Sequence, residues 1–112
     1  MKPVIRFIIN PISGQGKGEQ VAALVEQSDI KNKFEIEICK TKHRGHAVEL
    51  AKEAAEKKYH GVIAVGGDGT VNEIASSLVK SETAFIRLQK TITVFFQQKK
   101  LERELSWYMD RM

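Results

Sequence analysis

The sequence contains one cysteine, two prolines and one tryptophan in 112 residues, and these shortages narrow what it can be. A single thiol, Cys39, has no partner for an internal disulfide, which excludes a disulfide-stapled secreted scaffold. Cys39 ends an apolar alternation and reads as a packing residue in a reducing compartment. Both prolines, Pro3 and Pro11, lie near the start, so the rest of the chain is free of the residue that interrupts helices and strands. The longest apolar runs, such as Val62 to Val65, fall far short of the roughly 20 residues that a bilayer span needs. The opening "MKPVIRFIIN" has neither the apolar h-region nor the small-residue cleavage site of a signal peptide, so a cytoplasmic chain is expected. Glycine is absent after Gly69, although eight occur up to that point.

What is present is ordinary in amount: 42% hydrophobic and 29% charged residues, close to the globular average. One compact domain with a real core fits this length. The net charge of +4 is unevenly spread. Residues 85–112 carry Arg87, Lys90, Lys99, Lys100, Arg103 and Arg111 against Glu102, Glu104 and Asp110, and so supply +3 of it. A basic balance permits contact with nucleic acid or an anionic membrane. The lysines are not interleaved with aromatics, however, and no nucleic-acid partner is expected.

Along the chain, "VIRFII" (4–9) is β-branched and nearly continuous, as a strand buried on both faces should be, and it stops at Asn10-Pro11. Val21, Leu24 and Val25 then fall at helical spacing. "FEIEI" (34–38) alternates strictly, with Phe34, Ile36 and Ile38 on one face and Glu35 and Glu37 on the other, the pattern of a half-exposed or edge strand. Ala47, Leu50, Ala51 and Ala54 mark the buried stripe of a helix; Gly61 precedes a second apolar strand, Val62 to Val65; and Val71, Ile74, Ala75, Leu78 and Val79 form another helix face. Strand and helix alternating three times predict an α/β protein, a three-layer Rossmann-like parallel sheet with helices on its faces. Ligands of such sheets bind beyond the carboxyl ends of the strands.

Three unusual stretches fall at those ends. "NPISGQGKG" resembles two phosphate loops and fits neither: Pro11 and Gly18 break the P-loop pattern, and Glu19 breaks the dinucleotide-binding one. It still offers backbone N–H groups, Ser13 and Lys17 near a helix start to an anion, or else it is a flexible turn with a solvated lysine. In "TKHRGHA", Thr41 ends a strand and Gly45 starts a helix. His43 and His46 are three apart with no cysteine or carboxylate apparent at ligand spacing, so solvated histidines are expected there. "GGDGTVNE" crowds Gly66, Gly67 and Gly69 around Asp68. Thr70 and Glu73 have capping-box spacing, which explains a helix start but neither the glycines nor the carboxylate. A carboxylate beside phosphates makes sense where Mg²⁺ lies between them or where a ligand offers hydroxyls.

G-G-D-G-T followed by V-N-E, and preceded by N-P-x-S-G after the first strand, resembles the N-terminal half of the diacylglycerol kinase catalytic domain, the family of bacterial lipid kinases and sphingosine kinases. NAD kinases share G-G-D-G-T and are the alternative enzyme, but they do not usually pair it with "NPISG". The resemblance covers about residues 3–84. It implies the ATP-binding subdomain of the diacylglycerol kinase/NAD kinase-like fold and transfer of the γ-phosphoryl group of ATP to a lipid hydroxyl at a membrane surface, which would make the chain peripheral at the inner face of the membrane. It further implies that Asn10, Pro11, Ile12, Ser13, Gly14, Thr41, Gly66, Gly67, Asp68, Gly69, Thr70, Val71 and Asn72 line the nucleotide site, with Asp68 close to Mg²⁺.

After Phe85 the family continues with a strand reading roughly "GIIP" and a G-[ST]-G-N loop. This chain reads "IRLQKTITVFF" and has neither. The expected organisation is therefore a nucleotide-binding part over 1–84 and a divergent basic ending over 85–112. That ending looks truncated or frame-shifted, with a strand at "TITVFF" and a terminal helix face of Leu101, Leu105 and Tyr108. By the same resemblance the general base and the lipid site belong to an absent C-terminal domain, so no catalytic residue is assigned. A non-catalytic nucleotide-binding module that works with a partner chain is the other expectation.

Overall fold

The computed structural model describes residues 2–11, 17–66, 68–78, 84–89 and 92–96, and the side chains of all of these except 17–19, 21, 68, 84–89 and 92–96. In chain order the elements are β1 (Val4–Ile9), α1 (Lys17–Gln27), a single turn α2 (Ile30–Lys33), β2 (Glu35–Lys40), α3 (His46–Glu56), β3 (Gly61–Val65), α4 (Asp68–Leu78), β4 (Ala84–Gln89) and β5 (Ile92–Phe96). They form one five-stranded sheet in the order β2-β1-β3-β5-β4. β1 pairs in parallel with β2, Arg6 opposite Glu37, and with β3, Phe7 opposite Ile63. The expected parallel sheet is thus present in the first three strands. β5 runs antiparallel to both β3 and β4, and the reason lies in the chain: only Lys90 and Thr91 separate β4 from β5, far too few for a parallel crossover. The expected strand at "TITVFF" is β5. The proposed terminal helix face at Leu101, Leu105 and Tyr108, and Val79, lie outside the described residues.

Helices cover both faces of the sheet, which makes three layers. Because side chains alternate along a strand, Ile5, Phe7 and Ile9 of β1 and Ile63 and Val65 of β3 meet Val25 of α1, Ile30 of α2 and Phe34 on one face. On the other, Ile8, Val62 and Ala64 meet Ala47, Ala51 and Ala54 of α3 and Val71, Ile74 and Leu78 of α4. Burying a large apolar side chain stabilises by roughly 1.5–3 kcal/mol, so these two clusters carry the fold. Leu24, one of the three residues at helical spacing, is 37% exposed; Val25 and the half-buried Ala22 make the inward contacts of α1. Among the described residues no helix is long and apolar enough to cross a membrane.

One residue of "VIRFII" breaks its apolar run. Arg6 is only 3% exposed and points to the α3 face. Its Nε and one terminal nitrogen donate to Glu37 Oε1 at 3.0 and 2.7 Å, and that terminal nitrogen also meets Glu53 Oε1 at 2.8 Å. The other terminal nitrogen donates to the Leu50 carbonyl at 3.0 Å. The Tyr59 ring lies 5.1 Å from the guanidinium carbon, and its hydroxyl donates to Glu37 Oε2 at 2.6 Å. Glu37, which the alternation places on the face opposite Ile36 and Ile38, is therefore the counter-ion of a buried arginine. β2 remains an edge strand, as its alternation predicts.

Tyr59 reaches Glu37 because α3 ends in a tight reversal. Lys58 adopts φ 57, its N–H donates to Ala55 O, and the Tyr59 N–H donates back to Ala54 O at 2.9 Å, the Schellman pattern of helix ends. Glycine normally fills the left-handed position. Lys58→Gly is expected to raise stability by about 1 kcal/mol, measurable by urea denaturation.

The network also fixes an acid response. Burial on its own raises the Glu37 pKa, but the hydrogen bonds from Tyr59 and Arg6 outweigh it and hold the carboxyl below its ordinary range. A carboxyl with a depressed folded-state pKa contributes stability above its unfolded value, and that contribution fades as pH falls through the folded one. Melting temperature should therefore drop as pH is lowered below about 4.3, and Glu37→Gln should lower stability near neutrality while flattening this acid dependence. Calorimetry at stepped pH checks both; identical acid profiles for the two proteins would contradict the assignment.

Candidate functional site

The parallel strands β1, β2 and β3 end side by side, and two backbone bonds extend their ladder past the last strand residues. Thr41 N–H donates to Ile9 O at 2.8 Å, and Asn10 N–H donates to Val65 O at 3.0 Å. Thr41, Asn10 and Gly66 therefore stand in a row across the carboxyl edge, where an α/β sheet binds its ligands. Asn10 Nδ2 approaches Thr70 Oγ1 at 3.3 Å, joining the end of β1 to the first turn of α4. Thr70 is buried, Asn10 and Thr41 are half-buried, and Pro11, Gly69 and Asn72 are exposed.

The glycines divide by what they do. Gly66 is buried, and a Cβ there would come within 3.0 Å of Thr70 Oγ1, 3.1 Å of Thr70 Cβ and 3.3 Å of Asn10 Cβ. Packing alone explains this glycine. Gly69 has no such reason: a Cβ would meet nothing within 4 Å, and its backbone does not require glycine. The missing side chain leaves the backbone of the first turn of α4 bare on an open surface, which permits close approach from outside. Gly67, Ile12, Ser13 and Gly14 lie outside the described residues, as does the side chain of Asp68, the first residue of α4. A carboxylate in the first turn also suits the positive end of a helix dipole.

One sequence expectation changes here. A capping box puts threonine outside the helix, but α4 begins at Asp68, and the Thr70 hydroxyl accepts from Asn10. Thr70 thus ties α4 to β1, and its spacing to Glu73 is incidental. Val71 turns its side chain into the core with Ile74 and Leu78, as its place on the apolar face of α4 predicts. Sequence reasoning also missed Arg6 and Glu37 as partners. Their signal was the charge inside "VIRFII", which no fully buried strand carries without a counter-ion.

Gly66→Ala is expected to lower stability by about 1–3 kcal/mol through overcrowding, whereas Gly69→Ala should hold or raise it by up to about 1 kcal/mol. Equal losses in denaturant titrations would contradict this division.

The family model of the diacylglycerol kinase catalytic domain matches residues 4–94, passing residue 84 through β4 and into β5. A ceramide kinase of rice is 38% identical over 84 residues, which cover 69% of this chain and 13% of that protein. A diacylglycerol kinase of Bacillus subtilis is 38% identical over 73 residues, covering 65% of this chain and 24% of the relative. Among solved structures, a candidate diacylglycerol kinase of Bacillus anthracis superposes with a TM-score of 0.58 at 31% identity, covering 68% of this chain and 26% of that one. The chain spans at most about a quarter of the length of these proteins. With most of its length matched by the family model, the chain belongs to the diacylglycerol kinase catalytic domain family, whose similar members here are lipid kinases.

Proposed function

We propose that the chain is the nucleotide-binding part of a lipid kinase, holding ATP at the carboxyl ends of β1 and β3 for transfer of its γ-phosphoryl group to a lipid hydroxyl at a membrane surface. The observation that carries this reading is the convergence of Asn10, Gly66 and Thr70 on that edge beside the uncovered Gly69 backbone. Asn10, Pro11, Ile12, Ser13 and Gly14 would form one wall, Thr41 the neighbouring one, and Gly66 to Asn72 the floor. In this arrangement Asn10 and Thr70 hold the two loops together, and exposed backbone N–H groups at the start of α4 meet phosphate oxygens. A lone carboxylate, Asp68, beside phosphates is a donor set that suits Mg²⁺, which is held by one or two carboxylates plus phosphate oxygens. Asp68 would hold that ion, whose charge offsets that of the phosphates.

Phosphoryl transfer depends on positioning and on charge stabilisation, and these residues provide for the nucleotide alone. No residue is assigned to the acceptor or to the proton-accepting group, and the chain spans about a quarter of the length of these relatives. "NPISG" and the lipid kinases among the relatives favour a lipid acceptor over NAD.

Calorimetric titration of the purified chain should show weak Mg-ATP binding. Asp68→Asn and Gly69→Ala should each weaken it, the first with an unchanged melting temperature and the second with an equal or higher one. Unchanged affinity in both variants would sink the proposal. Incubation of the 112-residue chain with radiolabelled ATP and diacylglycerol vesicles should leave no label in the extracted lipid. Steady Asp68-dependent labelling would mean that the acceptor site lies within this chain.

A further inference from the structure

The connection between β2 and α3 carries a cluster that the nucleotide site does not use. His43, His46 and Glu49 each present a ligating atom within 4.8 Å of the other two. The sequence reading set these histidines aside for want of a carboxylate, but α3 supplies one, since Glu49 follows His46 by three residues and lies beside it on the helix surface. His43 precedes the helix and is folded back onto it by Gly45, whose φ of 84 favours glycine. The two imidazole rings stack with centroids 4.6 Å apart and planes 16° from parallel.

The hydrogen bonds of the rings fix their tautomers. His43 Nδ1 lies 3.0 Å from the Arg44 carbonyl oxygen. A carbonyl only accepts, so Nδ1 carries the proton and Nε2 keeps its lone pair. Backbone carbonyls orient metal-binding histidines in this same way. His46 Nδ1 accepts the Lys42 backbone N–H at 3.0 Å. Lys42 and Arg44 are exposed neighbours that repel a cation, and the Glu49 carboxylate offsets part of that charge. Two imidazoles and one carboxylate make the three-ligand set of open zinc sites, a set ill suited to Mg²⁺, which prefers oxygen.

We propose that His43, His46 and Glu49 bind Zn²⁺ or a similar borderline divalent ion, with the remaining coordination position open to water. Stacked rings lie face to face, and a lone pair lies in the plane of its ring, so the exposed His43 ring must tilt towards the shared ion. His46 must give up a lone pair in either of two ways. An ion at Nδ1 displaces the Lys42 N–H, and an ion at Nε2 sends the ring proton to Nδ1, which can then no longer accept. The Lys42–His46 hydrogen bond breaks in both cases. Occupancy therefore resets the segment that begins at Thr41, one strand away from Asn10.

The test is titration of the reduced, ¹⁵N-labelled chain with Zn²⁺, followed by calorimetry and amide spectra. Saturable 1:1 binding is expected, with the Lys42 amide among the largest shifts and no comparable response to Mg²⁺. His43→Gln and Glu49→Gln should each weaken Zn²⁺ affinity by about tenfold or more. Cys39→Ser and His60→Gln, which alter the other soft or imidazole ligands near the sheet, should leave it unchanged. Absence of saturable binding, or binding that follows Cys39 or His60 and ignores His43 and Glu49, would overturn the assignment.

Discussion

A buried guanidinium holds this arrangement in register. Arg6 sits in the middle strand of the parallel set and contacts Glu37 of β2, the Leu50 carbonyl and Glu53 of α3, and the Tyr59 ring beyond that helix. Pairing a charge that far from water does not by itself imply a large gain in stability, but removing one partner leaves an uncompensated charge, which is costly. The consequence is specificity. Shifting β2 by one residue would carry Glu37 to the opposite face and leave Arg6 without its main acceptor. Because β1 and β2 cannot slip, Thr41 arrives beside Ile9 and Asn10 at the carboxyl edge. A lysine could not substitute, since its ammonium lacks the fork that reaches an acid and a carbonyl in different directions.

How much the sequence disclosed depended on whether a feature was local. β1 and β3 were visible as short β-branched runs, and α3 and α4 as apolar residues at helical spacing, because each element repeats its own period. The partner of Glu37 stayed hidden because alternation separates two faces without saying which of them meets a buried cation from another strand. The inward face of α1 was open for a related reason: Val25 and Leu24 are adjacent, and periodicity over so few positions does not choose between them. The turn α2 has four residues, too short for any period to register. The antiparallel pair was half legible, as a strand at "TITVFF" whose place in the sheet only three-dimensional pairing decides.

The candidate site was legible in a different sense. The motifs singled out Asn10, Thr41, Gly66 and Thr70, which the fold brings to one edge of the sheet, but sequence alone treated Gly66 and Gly69 as equivalent. The fold separates them: the former is required by Thr70 and Asn10, and the latter is left bare. Likewise the Thr70 hydroxyl looked like a helix cap, yet it ties the first turn of α4 to the end of β1. Glu49 escaped notice because its kinship to the histidines exists only once α3 has formed.

Parallel pairing around β1 also has a cost in time. Ile5 lies opposite Ile36 on one side and Gly61 on the other, so β1 waits for β3 before both of its edges are covered. At about 5–20 residues per second of synthesis, roughly 3–11 seconds separate the appearance of Ile5 from that of its partner in β3. Throughout that interval Phe7, Ile8 and Ile9 have no complete core to enter, and an apolar strand with open edges is what chaperones and aggregates both recognise. The central position of β1, which places Asn10 between two other strand ends, therefore leaves one edge of that strand open until β3 has been made.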